Sequence, residues 1–194
     1  MKPDTRPITA ASPTRMRTKR AILETAAQIL PLAPQSSLAD IAQTADVSRS
    51  TIHRYFPERG SLIRALAVHA YELSDAAITE VADDFTDPVE RLRAIALNQL
   101  DIGPLMTFLY QDPAISADEA FWQRLREDGD PIDPILEAVA GPRPRLPIAW
   151  MRRAYWNVLY VGWETAMDRS MTRSEIADAI VVTLCTGALS SHEQ

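Results

Sequence analysis

The sequence predicts an all-α protein of about nine helices, with a three-helix N-terminal head and a longer helical body. Three observations carry that expectation. Apolar residues recur at 3.6-residue spacing from Thr14 onwards. No segment shows sustained apolar–polar alternation flanked by hairpin signals. Prolines at 31, 34, 57, 88, 104 and 113 punctuate the periodic stretches, and proline ends helices because it lacks an N–H and clashes with the preceding turn.

Residues 1–13 carry three prolines and no apolar period, and read as a flexible tail. Ile22, Leu23, Ala26, Ile29 and Leu30 mark the first helix, capped by Ser12 or Thr14 and stopped at Pro31. Ser37, with Asp40 three residues on, is a box-like cap for a second helix with Leu38, Ile41, Ala42 and Ala45 inside. Asp46-Val47-Ser48 is a tight turn, and Ser48 caps a third helix anchored by Ile52, Tyr55 and Phe56. A long helix follows, from about 58 to 82. Asp87-Pro88 opens the next, and Gly103-Pro104 is expected to break it. Short helices are expected near 105–109, 117–127 and 135–140. GPRPRLP (141–147) is a connector, and two strong helices close the chain near 147–169 and 173–190. The expected domains are the tail 1–13, a head 14–57 and a body 58–194.

Composition narrows the function. The chain has 194 residues, 46 % hydrophobic and 24 % charged, with one cysteine and three scattered histidines. That excludes an intramolecular disulfide and a cysteine or HExxH metal site, and no cofactor or metal is expected. No apolar run reaches membrane-spanning length. The N-terminus lacks a secretory signal's apolar region, so the cytoplasm is the expected location. There is no GxSxG elbow, no Ser-x-x-Lys and no phosphate loop, which disfavours an enzyme. Net charge is −6, but it is unevenly spread. Residues 1–64 hold ten Lys/Arg against five Asp/Glu, whereas residues 65–194 hold ten against twenty-one. A basic head on an acidic body is the pattern of a nucleic-acid-binding module joined to a part with another task.

The informative stretch is SLADIAQTADVSRSTIHRYFPERGSLIRAL (37–66). Two short helices flank a three-residue turn, with small Ala42 where they cross. Val47 and Ile52 face inward, while Arg49, Ser50, Thr51, His53 and Arg54 form a polar face. A recognition helix in the major groove needs such a face near its N-terminus. Arg pairs with guanine O6 and N7, and Ser or Thr meets bases or phosphates. Arg15, Arg17, Lys19 and Arg20 precede the module and suit phosphates.

AILETAAQIL (21–30), LADIAQTADVSRSTIHRYF (38–56) and PERGSLIRAL (57–66) together resemble the tetracycline-repressor (TetR) family of transcription regulators. The resemblance covers about the first third of the chain. It implies double-stranded DNA as partner, with contacts from Ser37, Ser48, Arg49, Ser50, Thr51, His53, Arg54 and Arg59. Ser37 and Ser48 have an equally good reading as helix caps. The sequence departs from the family pattern at Asp46, where the turn usually has glycine. It departs also at His53, usually tyrosine, at Arg59, usually lysine, and in lacking a glycine after the first helix.

All four tryptophans lie in the body. Phe108, Phe121, Trp122, Tyr155, Trp156, Tyr160 and Trp163 are candidates for an effector pocket, taking an apolar, aromatic-compatible small molecule. Ordinary core packing is the competing reading for each. Asp101 or Glu164 would favour a cationic or hydrogen-bonding ligand if turned inward, and a neutral, hydrophobic one is expected if both face water. The resemblance also implies a homodimer joined through the last two helices. Ala177, Ile180, Val181, Leu184, Gly187 and Ala188 are the candidate seam, and a two-fold dimer implies a pseudo-palindromic operator. The expected function is therefore a ligand-responsive repressor. The alternatives are a DNA-binding dimer whose body docks a protein and, less favoured, an all-α enzyme.

Overall fold

The computed structural model describes residues 12–81, 85–127 and 129–186. Ten α-helices and one 3-10 turn make up its regular structure, and the described residues contain no strand. The chain divides into two compact units, Met1–Leu62 and Ile63–Gln194. The division falls inside a continuous helix rather than ahead of it.

The first unit holds α1 (Pro13–Ile29), α2 (Leu38–Thr44), α3 (Arg49–Tyr55) and the first turn of α4 (Arg59–Thr79). Helix α1 starts on Pro13, a residue suited to a first turn because no N–H is needed there. Neither expected cap is used: Ser12 makes no capping hydrogen bond. The apolar side chains converge on Ile22, Ala26, Leu30, Ile41, Ala42, Ile52, Phe56 and Leu62, all buried. Ala42 lets α2 and α3 approach closely. Its carbonyl accepts the Val47 N–H at 2.9 Å, closing the turn, and Asp46 takes a left-handed φ of 51°. Aspartate tolerates that conformation better than most residues other than glycine.

The second unit holds the rest of α4, then α5 (Pro88–Gln99), a 3-10 turn (Leu100–Ile102), α6 (Gly103–Gln111), α7 (Glu119–Arg124), α8 (Asp133–Ala140), α9 (Ile148–Asp168) and α10 (Arg173–Cys185). Asp87 caps α5 by accepting the Val89 N–H at 2.9 Å. Gly103-Pro104 does not break the chain as the sequence suggests. The backbone stays helical through the 3-10 turn into α6. Gly103 is there for space: a Cβ would lie 2.5 Å from Trp163 Cδ1. Helix α10 packs on α9 and α5, with Gly162 of α9 against Ile176 and Ile180. Arg173 bridges α10 to Asp101 and to the Leu97 carbonyl, and Arg93 of α5 reaches Asp178 and Ser174.

Replacing Gly103 with alanine is expected to force the Trp163 indole out of its site and cost about 1–3 kcal/mol. A urea denaturation midpoint equal to that of the unaltered protein would show that the indole relaxes freely.

Candidate nucleic-acid interface and effector cleft

The exposed side of α3 carries Arg49, Ser50, His53 and Arg54, while Thr51 is half-buried. Ser48 starts the helix: its Oγ accepts the Thr51 N–H at 3.1 Å and lies 2.9 Å from Thr51 Oγ1. Ser37 has the same role on α2. Its Oγ accepts the Asp40 N–H, while its own N–H and hydroxyl donate to the Asp40 carboxylate at 2.8 and 2.7 Å. Those two bonds hold the Asp40 carboxyl below the usual range, the backbone one contributing most. Both serines are thus seen as caps, the alternative the sequence left open.

Basic side chains from two helices share one ring. Arg54 lies 5.5 Å and Arg15 5.9 Å from the Tyr55 centroid, a cation–π geometry that orients both guanidinium groups. Phe56 is buried, whereas Tyr55 is half-buried. Arg59, which the family resemblance gives to a phosphate, donates to the Ser36 and Pro34 carbonyls at 2.8 and 2.7 Å. It thereby holds the loop that leads into Ser37.

The body opens a small cleft lined by Tyr71, Ser74 and Asp75 of α4, Met106 and Tyr110 of α6, Leu125, Arg126, Gly129, Asp130 and Pro131, and Trp156 of α9. Trp122 supports the aromatic wall from behind, its ring 5.9 Å from Tyr71 and 5.3 Å from Tyr110. Asp130 is held from two sides: its Oδ2 accepts the Trp156 Nε1–H at 2.8 Å and its Oδ1 the Ile132 N–H at 3.1 Å. Burial, then the charges of Asp130 and Glu72, push the Asp75 carboxyl up from its usual range. Burial likewise raises the Tyr71 and Tyr110 hydroxyls.

Of the seven aromatic candidates, Trp156 alone lines this cleft. Trp122 and Tyr160 stand behind Tyr110. Trp163 and Tyr155 are buried core, with Trp163 donating to the Gln99 carbonyl at 2.9 Å. Phe121 packs edge-on against Trp122, and Phe108 is half-buried away from the lining. Phe121, Trp122, Tyr155 and Trp163 are thus buried in the core, while Phe108 and Tyr160 are half-buried. Asp101 and Glu164 both face solvent. Sequence reasoning missed Tyr71, Ser74, Asp75, Arg126 and Asp130. Ser74 and Asp75 sit in the α4 pattern beside the apolar stripe, and Asp130 was read as part of a loop. A wider groove elsewhere on the body is lined by Leu92, Leu136, Trp150, Met151 and Leu184, with Arg143 and Arg145.

The seam candidates separate by burial. Ala177 and Ile180 are 0 % and 2 % exposed and belong to the core of their own chain. This corrects the expectation that they meet a partner: Gly162 draws α10 onto α9, and that contact consumes this face. Val181 and Leu184 are half-buried, and Gly187 and Ala188 lie outside the described residues. Val161 on α9 and Val182 on α10 remain 59 % and 53 % exposed.

No family model matches the chain. It is 43 % identical over 176 residues to the HTH-type transcriptional repressor LfrR of Mycolicibacterium smegmatis, covering 90 % of this chain and 92 % of that protein. The crystal structure of the TetR-like transcriptional regulator LfrR from Mycobacterium smegmatis in complex with proflavine matches with a TM-score of 0.76 and 41 % identity. That match covers 92 % of this chain and 99 % of the other. A second LfrR crystal structure matches with a TM-score of 0.61 and 37 % identity, over 89 % and 100 % of the two chains.

Removing the α3 cap with Ser48→Ala is expected to lower head stability by about 1 kcal/mol. The check is thermal unfolding followed by helical circular dichroism; an unshifted transition would mean that Thr51 replaces the lost acceptor.

Proposed function

Because the chain belongs to the TetR-like transcriptional regulators, we propose that it is a homodimeric repressor released from DNA by a small aromatic molecule in the Tyr71–Tyr110–Trp156 cleft. The observation that carries this reading is the exposed polar first turn of α3, capped by Ser48 and backed by buried Ile52 and Phe56. Arg49, Ser50, Thr51, His53 and Arg54 would read base edges, while Arg15, Arg17, Lys19 and Arg20 meet phosphates. Two copies of α3 related by a two-fold axis call for half-sites about one helical turn apart. The acidic body would turn DNA away and leave the head as its docking surface.

The response needs a differential affinity. A ligand that binds a second conformation better shifts the population toward it, and about 1.4 kcal/mol is needed per tenfold loss of operator affinity. Helix α4 is the proposed carrier, since Tyr71, Ser74 and Asp75 share one continuous helix with Arg59 and Leu62 of the head. That LfrR crystallised with proflavine supports an aromatic effector. The proposed role is non-catalytic and cytoplasmic. No helix among the described residues is long and apolar enough to cross a membrane.

The dimer seam is proposed on α9 and α10, with exposed Val161 and Val182 at its centre and Val181 and Leu184 beside them. Burying such side chains is worth about 1.5–3 kcal/mol each.

Selection from a random DNA pool at near-physiological salt is expected to enrich a two-fold symmetric sequence. Recovery of no common sequence, with binding that simply fades as salt rises, would overturn the reading. Arg49→Ala is expected to weaken that site by about tenfold or more with helicity and dimer mass unchanged. Val161→Glu is expected to halve the mass seen by sedimentation and weaken operator binding with it. A dimer that survives this change would move the seam elsewhere.

A further inference from the structure

The loop between α1 and α2 is held by a side chain from another helix. Pro31 and Pro34 bring it no N–H of their own. Arg59, in the first turn of α4, donates from Nη1 to the Ser36 carbonyl at 2.8 Å and from Nη2 to the Pro34 carbonyl at 2.7 Å. A guanidinium presents its donors as a planar fork, which suits two carbonyls two residues apart, whereas an ammonium is a point charge without that geometry. The Arg59 side chain is half-buried. The next residue in the chain, Ser37, begins α2, and its N–H and hydroxyl donate to the Asp40 carboxylate. Helix α2 in turn carries α3: the Val47 N–H donates to the Ala42 carbonyl at 2.9 Å, and Ile41 and Ile52 are wholly buried. One line of contacts therefore runs from α4 through the loop and α2 to the recognition helix.

We propose that Arg59 is a positioning residue for operator recognition: its fork on the Pro34 and Ser36 carbonyls sets where α2 starts, and so how α3 is presented to DNA. This reassigns the residue, because the family resemblance implies a phosphate contact for it. The inference rests on reading the chain as an operator-binding repressor and deepens that reading at one residue. A phosphate would have to take both Nη groups away from the loop. Without the fork, the segment ahead of Ser37 is released, and α2 shifts on α4 and takes α3 with it. Bidentate contacts to base edges demand accurate placement, while phosphate contacts fix position and carry no sequence information. Loss of the fork therefore weakens specific binding and spares non-specific binding. Loss of a phosphate contact does the reverse: it weakens all sequences alike and makes the salt dependence shallower.

Fluorescence anisotropy with the full chain, over a series of salt concentrations, separates these cases. The probes are the symmetric duplex enriched from the random pool and a duplex of the same composition in shuffled order. Arg59→Lys keeps the charge and loses the fork, and Arg59→Gln loses both. Each is expected to weaken binding to the enriched duplex, severalfold for lysine and about tenfold or more for glutamine. Binding to the shuffled duplex and the salt slope are expected to stay as they are. Affinity kept by lysine and lost by glutamine, with a slope shallower by about 0.9 per contact, would assign Arg59 to a phosphate and overturn the proposal. Equal losses on the two duplexes would overturn it as well.

Thermal unfolding of the same samples distinguishes positioning from support, with binding measured below the transition of every variant. A lowered transition with unaltered affinity for both duplexes would mean that Arg59 only stabilises the head, and the proposal falls. If Arg59→Gln does not fold, Arg59→Lys carries the comparison. Selective loss of the enriched duplex supports the proposal, and unaltered affinity overturns it. Equal binding of the two duplexes by the unaltered protein overturns the operator reading, and this proposal with it, before any variant is compared.

Discussion

The body is organised around one wholly buried amide. The Gln99 side chain accepts the Ser74 hydroxyl at 3.1 Å and donates to the Ser74 carbonyl at 3.2 Å, which pins α5 to α4. Its backbone carbonyl accepts the Trp163 indole N–H at 2.9 Å, which pins α5 to α9. Each of these polar groups is out of water, where an unmade bond costs about 1–3 kcal/mol. The three helices therefore have little freedom to slide past one another. Gly103 completes the arrangement by letting the Trp163 ring lie flush on the backbone of α6. Four helices take their register from two residues, Gln99 and Trp163.

The cleft is a consequence of that register. Ser74 belongs both to the buried lock and to the cleft wall, so whatever enters the cleft acts on a residue already tied to α5. This is a physical route for a small ligand to bias a packed helix, because cores rearrange between discrete packings rather than bending smoothly. The head is built differently. It relies on short-range devices, the Ser37–Asp40 box, the Ser48 cap and the left-handed Asp46, each contained within a few residues. Local capping keeps α2 and α3 in shape while their polar sides stay free for a partner.

Much of this was legible in the sequence. The turn at Asp46, the caps at Ser37, Ser48 and Asp87, and the inward Ile41, Ala42 and Ile52 are local features that spacing and side-chain chemistry report directly. The seam and the pocket were less so. Ala177 and Ile180 lie on a clean apolar stripe, but a stripe shows only that a face is buried and not whether its own chain or a partner buries it. Trp163 and Tyr155 are large aromatics in a likewise ambiguous place. Asp130 stood in a Pro- and Asp-rich stretch with no period, so nothing near it in sequence marked it as the partner of Trp156.

The sequence by itself determined the all-helical class, the helix-turn-helix with its polar recognition face, and the contrast between a basic head and an acidic body. These follow from periodicity, capping and charge, which act over a few residues. The tertiary structure alone decided that Gly103 must lack a side chain, that of the seven candidate aromatics only Trp156 lines this cleft, and that two carboxylates far apart in sequence, Asp75 and Asp130, share it. Those facts depend on which helix faces pack together. That choice is made by contacts between residues dozens of positions apart, such as Ser74 with Gln99 and Asp130 with Trp156, and no local pattern encodes it.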